Sequence, residues 1–577
     1  MVVSSSQIDL SWNSSTDDVA VAGYKVYREG SQLKAVSGIS TDDTGLAPAT
    51  QYCYTVSAYD GAGNESSQSG SGCATTPAAG SAPVAPAGLT ATPSNAEVTV
   101  AWNPVPGAAS YNLYLASMTG VTKINYAAQP DGTTQTNVTS PYLRTGLTNG
   151  KTYYFVVTAV NAFGESPESS EVSATPLAWT GTKQFGTAGS DKAWGVGTDT
   201  TGNIYLAGET AGGLDGNTSA GLLDLFLVKY NAAGIKQWTR QLGTSANETA
   251  RGLAVDGSGN IYLTGWTGGG LDGNVSAGSD DLFLVKYDAA GVKQWTRQLG
   301  TTAVDEAFAV AVDGSGNVYL TGRTQGGLDG NTNVGGQDLF LVKYDNTGIK
   351  QWTRQLGTAG SESARGVAVD GGDVYVTGRT GEGLDGNISA GDADLFLIKY
   401  DTAGNKQWTR QLGTTVFDSP QSVAASGGSI YVTGYTGGGL DGNISAGSFD
   451  LFLVKYDATG VKQWTRQLGT TAVDETSDVA VNAGGNVYLV GATGGNLDGN
   501  TSSGGSDLFL IKYDAAGVKQ WTRQLGTSAT DEGLSVALNT GGEIYIVGDT
   551  GGNLDGNSSA GGVDSFLVKY DSSGVKQ

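Results

Sequence analysis

The 577-residue chain carries 91 glycines, 55 acidic against 32 basic side chains (net −23 at pH 7) and no histidine. This balance leaves no basic excess for a phosphate backbone, so no nucleic acid is expected as partner. The missing imidazole removes the commonest general base and transition-metal ligand, excluding Ser-His-Asp chemistry, zinc and haem, and no run of 18 apolar residues offers a transmembrane segment.

Residues 1–77 and 86–176 read as two β-sandwiches joined by a proline-spaced linker at 78–85, with short alternating runs such as Tyr24-Lys25-Val26-Tyr27 and Tyr154 to Val160. No secretory leader is expected in the residues ahead of the first, since Met1 leads straight into a polar strand. The second opens with residues 86–92 before the strand Val98 to Trp102, whereas the first begins at the equivalent of that later strand, Ile8 to Trp12. A missing first strand and a clipped N-terminus are therefore expected. Each sandwich has an early Trp (Trp12, Trp102) and a Tyr six residues after a Leu (Leu46 to Tyr52, Leu147 to Tyr153), the spacing of a tyrosine corner. With Tyr54 to Asp60, these residues resemble fibronectin type III domains of bacterial extracellular proteins.

Cys53 and Cys73 are the only cysteines, and their separation suits neighbouring strands. A disulfide there contributes roughly 3 kcal/mol in the chain-entropy model and implies an oxidising, extracytoplasmic setting; buried free thiols are the alternative.

From Trp179 onward the chain is 399 residues long, seven times 57, and Leu-Asp-Gly-Asn recurs at Leu214, Leu271, Leu328, Leu384, Leu440, Leu497 and Leu554. A fixed period of this size marks a repeat architecture. One copy predicts four strands, here called a to d: Leu253 to Asp256, Asn260 to Gly265, Leu282 to Tyr287 and Lys293 to Leu299. Tight glycine-containing hairpins join a to b and c to d. Such a sheet cannot bury both faces alone, so residues 177–577 are expected to form a seven-bladed β-propeller. The last copy stops at Gln577, before its Trp-Thr-Arg-Gln-Leu-Gly, while Trp179 to Gly186 supplies an unpaired equivalent. An N-terminal outer strand closing the last blade follows; a longer array cut short at 577 is the alternative. Leu282 to Asp288, Trp295 and the turn Asp313 to Asn317 resemble the bacterial β-propeller repeat SBBP. The two resemblances imply an all-β chain, two fibronectin type III β-sandwiches followed by the propeller, secreted or cell-surface, with no catalytic residues to carry over.

Oxygen donors alternate in the loop between strands b and c, followed by a glycine and a later Asp, a pattern suited to calcium. The candidate ligands are Asp215, Asn217, Ser219 and Asp224; Asp272, Asn274, Ser276 and Asp281; Asp329, Asn331, Asn333 and Asp338; Asp385, Asn387, Ser389 and Asp394; Asp441, Asn443, Ser445 and Asp450; Asp498, Asn500, Ser502 and Asp507; and Asp555, Asn557, Ser559 and Asp564. The competing reading makes them turns and caps. Each d-to-a link also has an acid five residues after its Gly (Asp191, Glu248, Asp305, Glu362, Asp418, Asp474, Asp531), so that one face is expected to gather three carboxylates per blade. An ion pair is expected between these acids and the late strand-d arginines Arg240, Arg297 and Arg354, and interblade packing for Trp238, Trp295, Trp352, Trp408, Trp464 and Trp521.

Near-identical copies report shared folding constraints, so a recognition surface is expected where they differ: Trp266, Arg323, Arg379, Tyr435 and Phe417, with Trp194 also breaking the pattern. The sequence thus points to a noncatalytic, monomeric adhesion or docking protein for a surface protein or glycan, with no catalytic residue, no certain cofactor and calcium as the candidate ion. Two alternatives are a subunit of a polysaccharide-active enzyme and a surface-layer component.

Overall fold

A computed structural model describes residues 2–15, 21–77, 80–94, 96–177 and 179–577. Residues 78 and 79 of the expected linker, and Ala178 at the next junction, lie outside the described residues. The chain forms two compact units, Met1–Ala178 and Trp179–Gln577. No helix among the described residues is long and apolar enough to cross a membrane.

The first unit holds two sandwiches. In one, a three-stranded sheet (Val2–Ser4, Gln7–Ser11, Ser40–Thr44) faces a four-stranded one (Ser31–Val36, Val21–Arg28, Gln51–Asp60, Gly72–Thr75) around Ile8, Val26, Leu46 and Tyr54. Val2–Ser4 pairs with Gln7–Ser11, so a short strand stands where the sequence reading expects none. Cys53 and Cys73 face each other on adjacent strands and are disulfide-bonded. The second sandwich packs Val98, Val100, Trp102, Leu113, Phe155 and Val157 at its centre. Both tyrosine corners form: Ala47 N–H donates to Tyr52 Oη (2.8 Å) and Thr148 N–H to Tyr153 Oη (3.1 Å).

The second unit consists of seven four-stranded antiparallel sheets, numbered here as blades 1 to 7. Blade 2 is typical: a, Glu248–Val255; b, Ile261–Thr267; c, Asp281–Tyr287; d, Lys293–Leu299. Strand c is apolar on both faces because each face meets a different neighbour. Phe283, Val285 and Tyr287 pack toward blade 1 with Tyr205 and Leu225, and Leu282 and Leu284 pack toward blade 3 with Val318 and Phe340. Each such fully buried side chain contributes roughly 1.5–3 kcal/mol, so the interblade seams carry the stability of the unit.

Blade 7 draws its outer strand from both ends of the unit. Lys183–Phe185 pairs with Asp564–Tyr570, and Lys576 bridges to Tyr570. Thr182, Gln184 and Lys576 then repeat the contacts that Thr239, Gln241 and Lys236 make in blade 1: Thr182 and Lys576 reach Asp555, and Gln184 reaches Asp564 (2.9 Å). The ring is closed.

Strand a is the innermost edge of every blade and carries a one-residue bulge. In blade 2, Ala250 pairs with Gly265 and Gly252 with Thr264, leaving Arg251 unpaired between them. The bulge recurs at Trp194, Phe308, Arg365, Gln421, Ser477 and Leu534. Bulges bend a strand and re-aim the extra side chain, and these seven line the central channel. Pro420, the one proline of the repeats, sits on this edge strand immediately before a bulge, where a missing N–H is tolerated.

Candidate functional site

The side chains of the b-to-c loops find partners within the protein. Asp272 and Gly273 take successive left-handed conformations (φ 56° and 80°), which explains the recurring Asp-Gly. That turn lays the loop along strand d, where Asp272 pairs with Lys293 and accepts from Thr296 Oγ1 (2.8 Å). The same ammonium stands at Asp215, Asp329, Asp385, Asp441, Asp498 and Asp555. Asn274 Nδ2 donates to Leu271 O, and Ser276 Oγ to Gly278 O. Asp281 is fully buried and accepts from Ala277 N–H (2.7 Å) and Gln298 Nε2 (2.8 Å) through one oxygen. Among the described residues no group of three or more Asp, Glu, Cys or His side chains is arranged to hold a metal ion. A lysine neutralises the first carboxylate of each loop, where a cation would have to act. The expected outcome is therefore that millimolar calcium, against EDTA and magnesium, leaves the thermal midpoint unchanged. A calcium-specific rise would restore the metal reading.

The face expected to gather three carboxylates per blade does not do so: one is neutralised by lysine and the other two are buried. In blade 3, Asp305 accepts from Thr301 N–H (2.6 Å), Thr301 Oγ1 (2.8 Å) and Thr324 Oγ1. Burial pushes its carboxyl above the usual range, opposed by these bonds. The expected ion pair with the strand-d arginines is absent among the described residues. Arg240 folds over Trp238 (5.0 Å) and donates Nε–H to Gly291 O of the next blade (2.9 Å), because Trp238 lies against that same turn. Both side chains therefore join neighbouring blades, the packing role expected for the tryptophans.

The variable positions come together. Trp266 meets Phe308 edge-on (5.9 Å), and the Arg251 guanidinium lies 3.4 Å from the centre of the Trp194 ring and 5.1 Å from that of Trp266. Arg365 and Arg323 both flank Phe308 (4.6 and 5.6 Å), and Arg379 flanks Phe417 (5.2 Å). Phe417 stacks with Tyr435 (6.2 Å), which meets Phe449 (5.2 Å). Blades 1 to 5 thus carry an arc of alternating arginine and aromatic rings. Burial pulls Arg251 and Arg365 down to about 10, opposed at Arg251 by Glu209 and Glu306 and aided at Arg365 by the neighbouring arginines, leaving both cationic at neutral pH. The other arc is acidic: burial pushes Asp549 up to about 6 although Lys192 pairs with it (3.3 Å), and burial, with Glu532 nearby, also pushes Glu475 up.

All five variable residues named from sequence belong to this arc. The bulge residues Arg251, Phe308 and Arg365 were missed, and their signal was available. Three residues after each d-to-a acid the copies read Trp, Arg, Phe, Arg, Gln, Ser and Leu, in a chain that elsewhere repeats itself.

A model of the β-propeller repeat SBBP matches residues 181–215, 237–272, 294–329 and 351–385, and a fibronectin type III model matches 84–175. The chain is 28% identical over 422 residues to the regulatory protein FlaEY of Caulobacter vibrioides, covering 63% of this chain and 43% of that protein. It is 36% identical over 184 residues to exoglucanase B of Cellulomonas fimi, covering 30% of this chain and 16% of that enzyme. It therefore spans less than half the length of either relative. A fibronectin-like protein structure from Clostridium thermocellum matches at 36% identity with a TM-score of 0.14, covering 16% of this chain and 92% of that one. Four stretches of the chain thus match the SBBP β-propeller repeat, and one stretch ahead of them matches a fibronectin type III domain.

Proposed function

We propose that this is a noncatalytic extracellular or cell-surface binding protein whose propeller docks a surface partner, protein or glycan, at the channel mouth, with the fibronectin type III domains as spacers. One observation carries the reading: at the positions that differ between otherwise repeated blades, the arginines and aromatic rings gather on one arc of the ring. Symmetry makes seven blades alike, and a binding site needs some of them unlike. The relatives with enzyme names match through their fibronectin type III parts, so their activities give this chain no reaction.

Screened against bacterial surface polysaccharides and surface proteins, the full chain is expected to bind a partner, and Trp266→Ala or Arg379→Ala to weaken that binding at least about tenfold, or 1.4 kcal/mol. Val275→Ala, at an exposed loop position, is the unaffected control. Full retention of binding by residues 1–178 alone would overturn the reading.

A second reading, a polysaccharide-active subunit, is favoured by the raised carboxyl of Asp549, since perturbed acids mark catalytic sites. Release of reducing or unsaturated ends from a polysaccharide panel, lost in Asp549→Asn, would establish it.

A further inference from the structure

We propose that the propeller channel binds a uronic-acid residue of an acidic polysaccharide, with Arg251 and Arg365 taking the carboxylate and Trp194 and Phe308 packing against the C–H face of the sugar ring. The proposal rests on the docking reading above and names its ligand class.

The channel holds a half-open cavity of about 210 Å³ lined by these four residues and, across it, by Gln421, Ser422, Asp478 and Ser535. This is smaller than the roughly 300–1,000 Å³ of drug-sized sites, so it admits a single sugar-sized residue and not a folded surface.

Its two walls differ in chemistry. On the first, Arg251 Nε, Arg365 Nε and Trp194 Nε1 are buried and make no hydrogen bond within the protein. Arg251, Arg365 and Arg379 form no ion pair among the described residues, and of the four clustered arginines only Arg323 has one, with Glu306 (2.5 Å). Arg365 feels the repulsion of the other three. Arg323 is paired with Glu306, and Glu209 and Glu306 also act on Arg251, whereas Arg365 faces three cations and Tyr435 with no carboxylate among its main influences, which leaves room for an anion from outside. The rings beneath the guanidiniums add an apolar face, which fits a planar anion on an aliphatic ring and does not fit free phosphate.

The second wall offers acceptors. Ser422 Oγ (2.6 Å) and Ser535 Oγ (2.8 Å) both donate to Asp478, which also accepts from Val479 N–H and Val536 N–H. Ser422 is left with lone pairs only, Ser535 with what remains beside the bond it accepts from Val196 N–H (3.4 Å), and Gln421, whose amide donates to Ser419 Oγ (3.0 Å), with its carbonyl and one N–H. Acceptors call for hydroxyl donors. An acidic peptide side chain brings a carboxylate without hydroxyls, whereas a sugar acid brings the carboxylate, the C–H face and the hydroxyls together.

The test is calorimetric titration of the full chain with oligogalacturonate, oligoglucuronate, their carboxyl-reduced neutral counterparts and poly-glutamate. A uronate is expected to bind at least tenfold more tightly than its reduced form and than poly-glutamate. Arg365→Gln, Arg251→Gln and Trp194→Ala should each cost at least tenfold with the circular-dichroism spectrum unchanged, and Val275→Ala nothing. Equal affinity for the neutral sugars, no uronate binding, tighter poly-glutamate binding, or undiminished binding by the Arg251→Gln/Arg365→Gln double variant would each overturn the proposal. Loss of surface-partner binding in Trp266→Ala together with no uronate binding would sink the ligand class and leave the docking reading intact. Retention of partner binding by residues 1–178 alone would sink the docking reading itself.

Discussion

Trp179→Ala is expected to destabilise the propeller by about 3–5 kcal/mol, the range for emptying a buried aromatic site, and to broaden its unfolding transition. Trp179 is 5% exposed, meets Tyr545 of blade 7 edge-on (6.0 Å) and lies against Gly234 of blade 1, so one side chain seals the seam between the first and last blades. It does for that seam what Trp238 does between blades 1 and 2 against Gly291. The effect should exceed that of a comparable lesion at an internal seam. A repeat array held only by nearest-neighbour contacts can unravel from an open end, whereas a closed ring must break two seams before any blade is released. The measurement is urea unfolding of the full chain followed by tryptophan fluorescence and by far-ultraviolet circular dichroism, beside Trp352→Ala, an internal counterpart. Equal losses and coincident transitions in the two variants would mean that closure adds nothing beyond local packing.

The all-β class, the seven-fold repeat and the donated outer strand were legible because each rests on a pattern that the chain states repeatedly. The strand-c string Asp-Leu-Phe-Leu-Val-Lys-Tyr is apolar on both faces, and a strand buried on both faces needs neighbours on both sides. Splitting of the blade 7 outer strand between Lys576 and Thr182 to Gly186 follows from where the copies start and stop. Side-chain direction was much less legible. Asp272 was expected to aim its carboxylate toward a shared metal or face, yet two consecutive left-handed residues turn it down the outer strand onto Lys293, 21 positions later. Arg297 was expected at the acidic face, but Trp295 beside it and the carbonyl of Gly348 in the next blade hold it at the other end. Both outcomes depend on a neighbouring strand or blade, information absent from local spacing. The variable positions after strand b were found because variation among copies needs no geometry. The same comparison one strand earlier would have found Arg251, Phe308 and Arg365, had a bulge been anticipated in a strand that reads as regular.

Gly265→Ala is expected to destabilise blade 2 by about 3 kcal/mol or more, at or beyond the upper end for overpacking, and to abolish any binding that depends on Arg251. A Cβ at Gly265 would stand 1.7 Å from the carbonyl oxygen of Thr249, which no side-chain rotation can relieve because the obstacle is backbone. The bulge at Arg251 is what brings the two backbones together, since Gly265 pairs with Ala250 immediately before the extra residue. The same glycine stands opposite the same carbonyl in all seven blades, at Gly208, Gly322, Gly378, Gly434, Gly491 and Gly548, with distances of 1.8–2.1 Å. A methyl group there must either push strand a off strand b or straighten the bulge, and either response turns Arg251 away from Trp194 and the channel. The control is Gly257→Ala in the a-to-b turn, where an added Cβ meets nothing within 4 Å. Urea midpoints of the two variants test the first claim. The second is tested by titrating folded Gly265→Ala protein with whichever ligand the wild type binds. Unchanged stability would show that strand a yields without cost, and unchanged affinity would show that the bulge does not aim the site. The repeated glycine and the non-repeated residue beside it then have one explanation: every blade needs the bulge to present a side chain to the channel, and each blade presents its own.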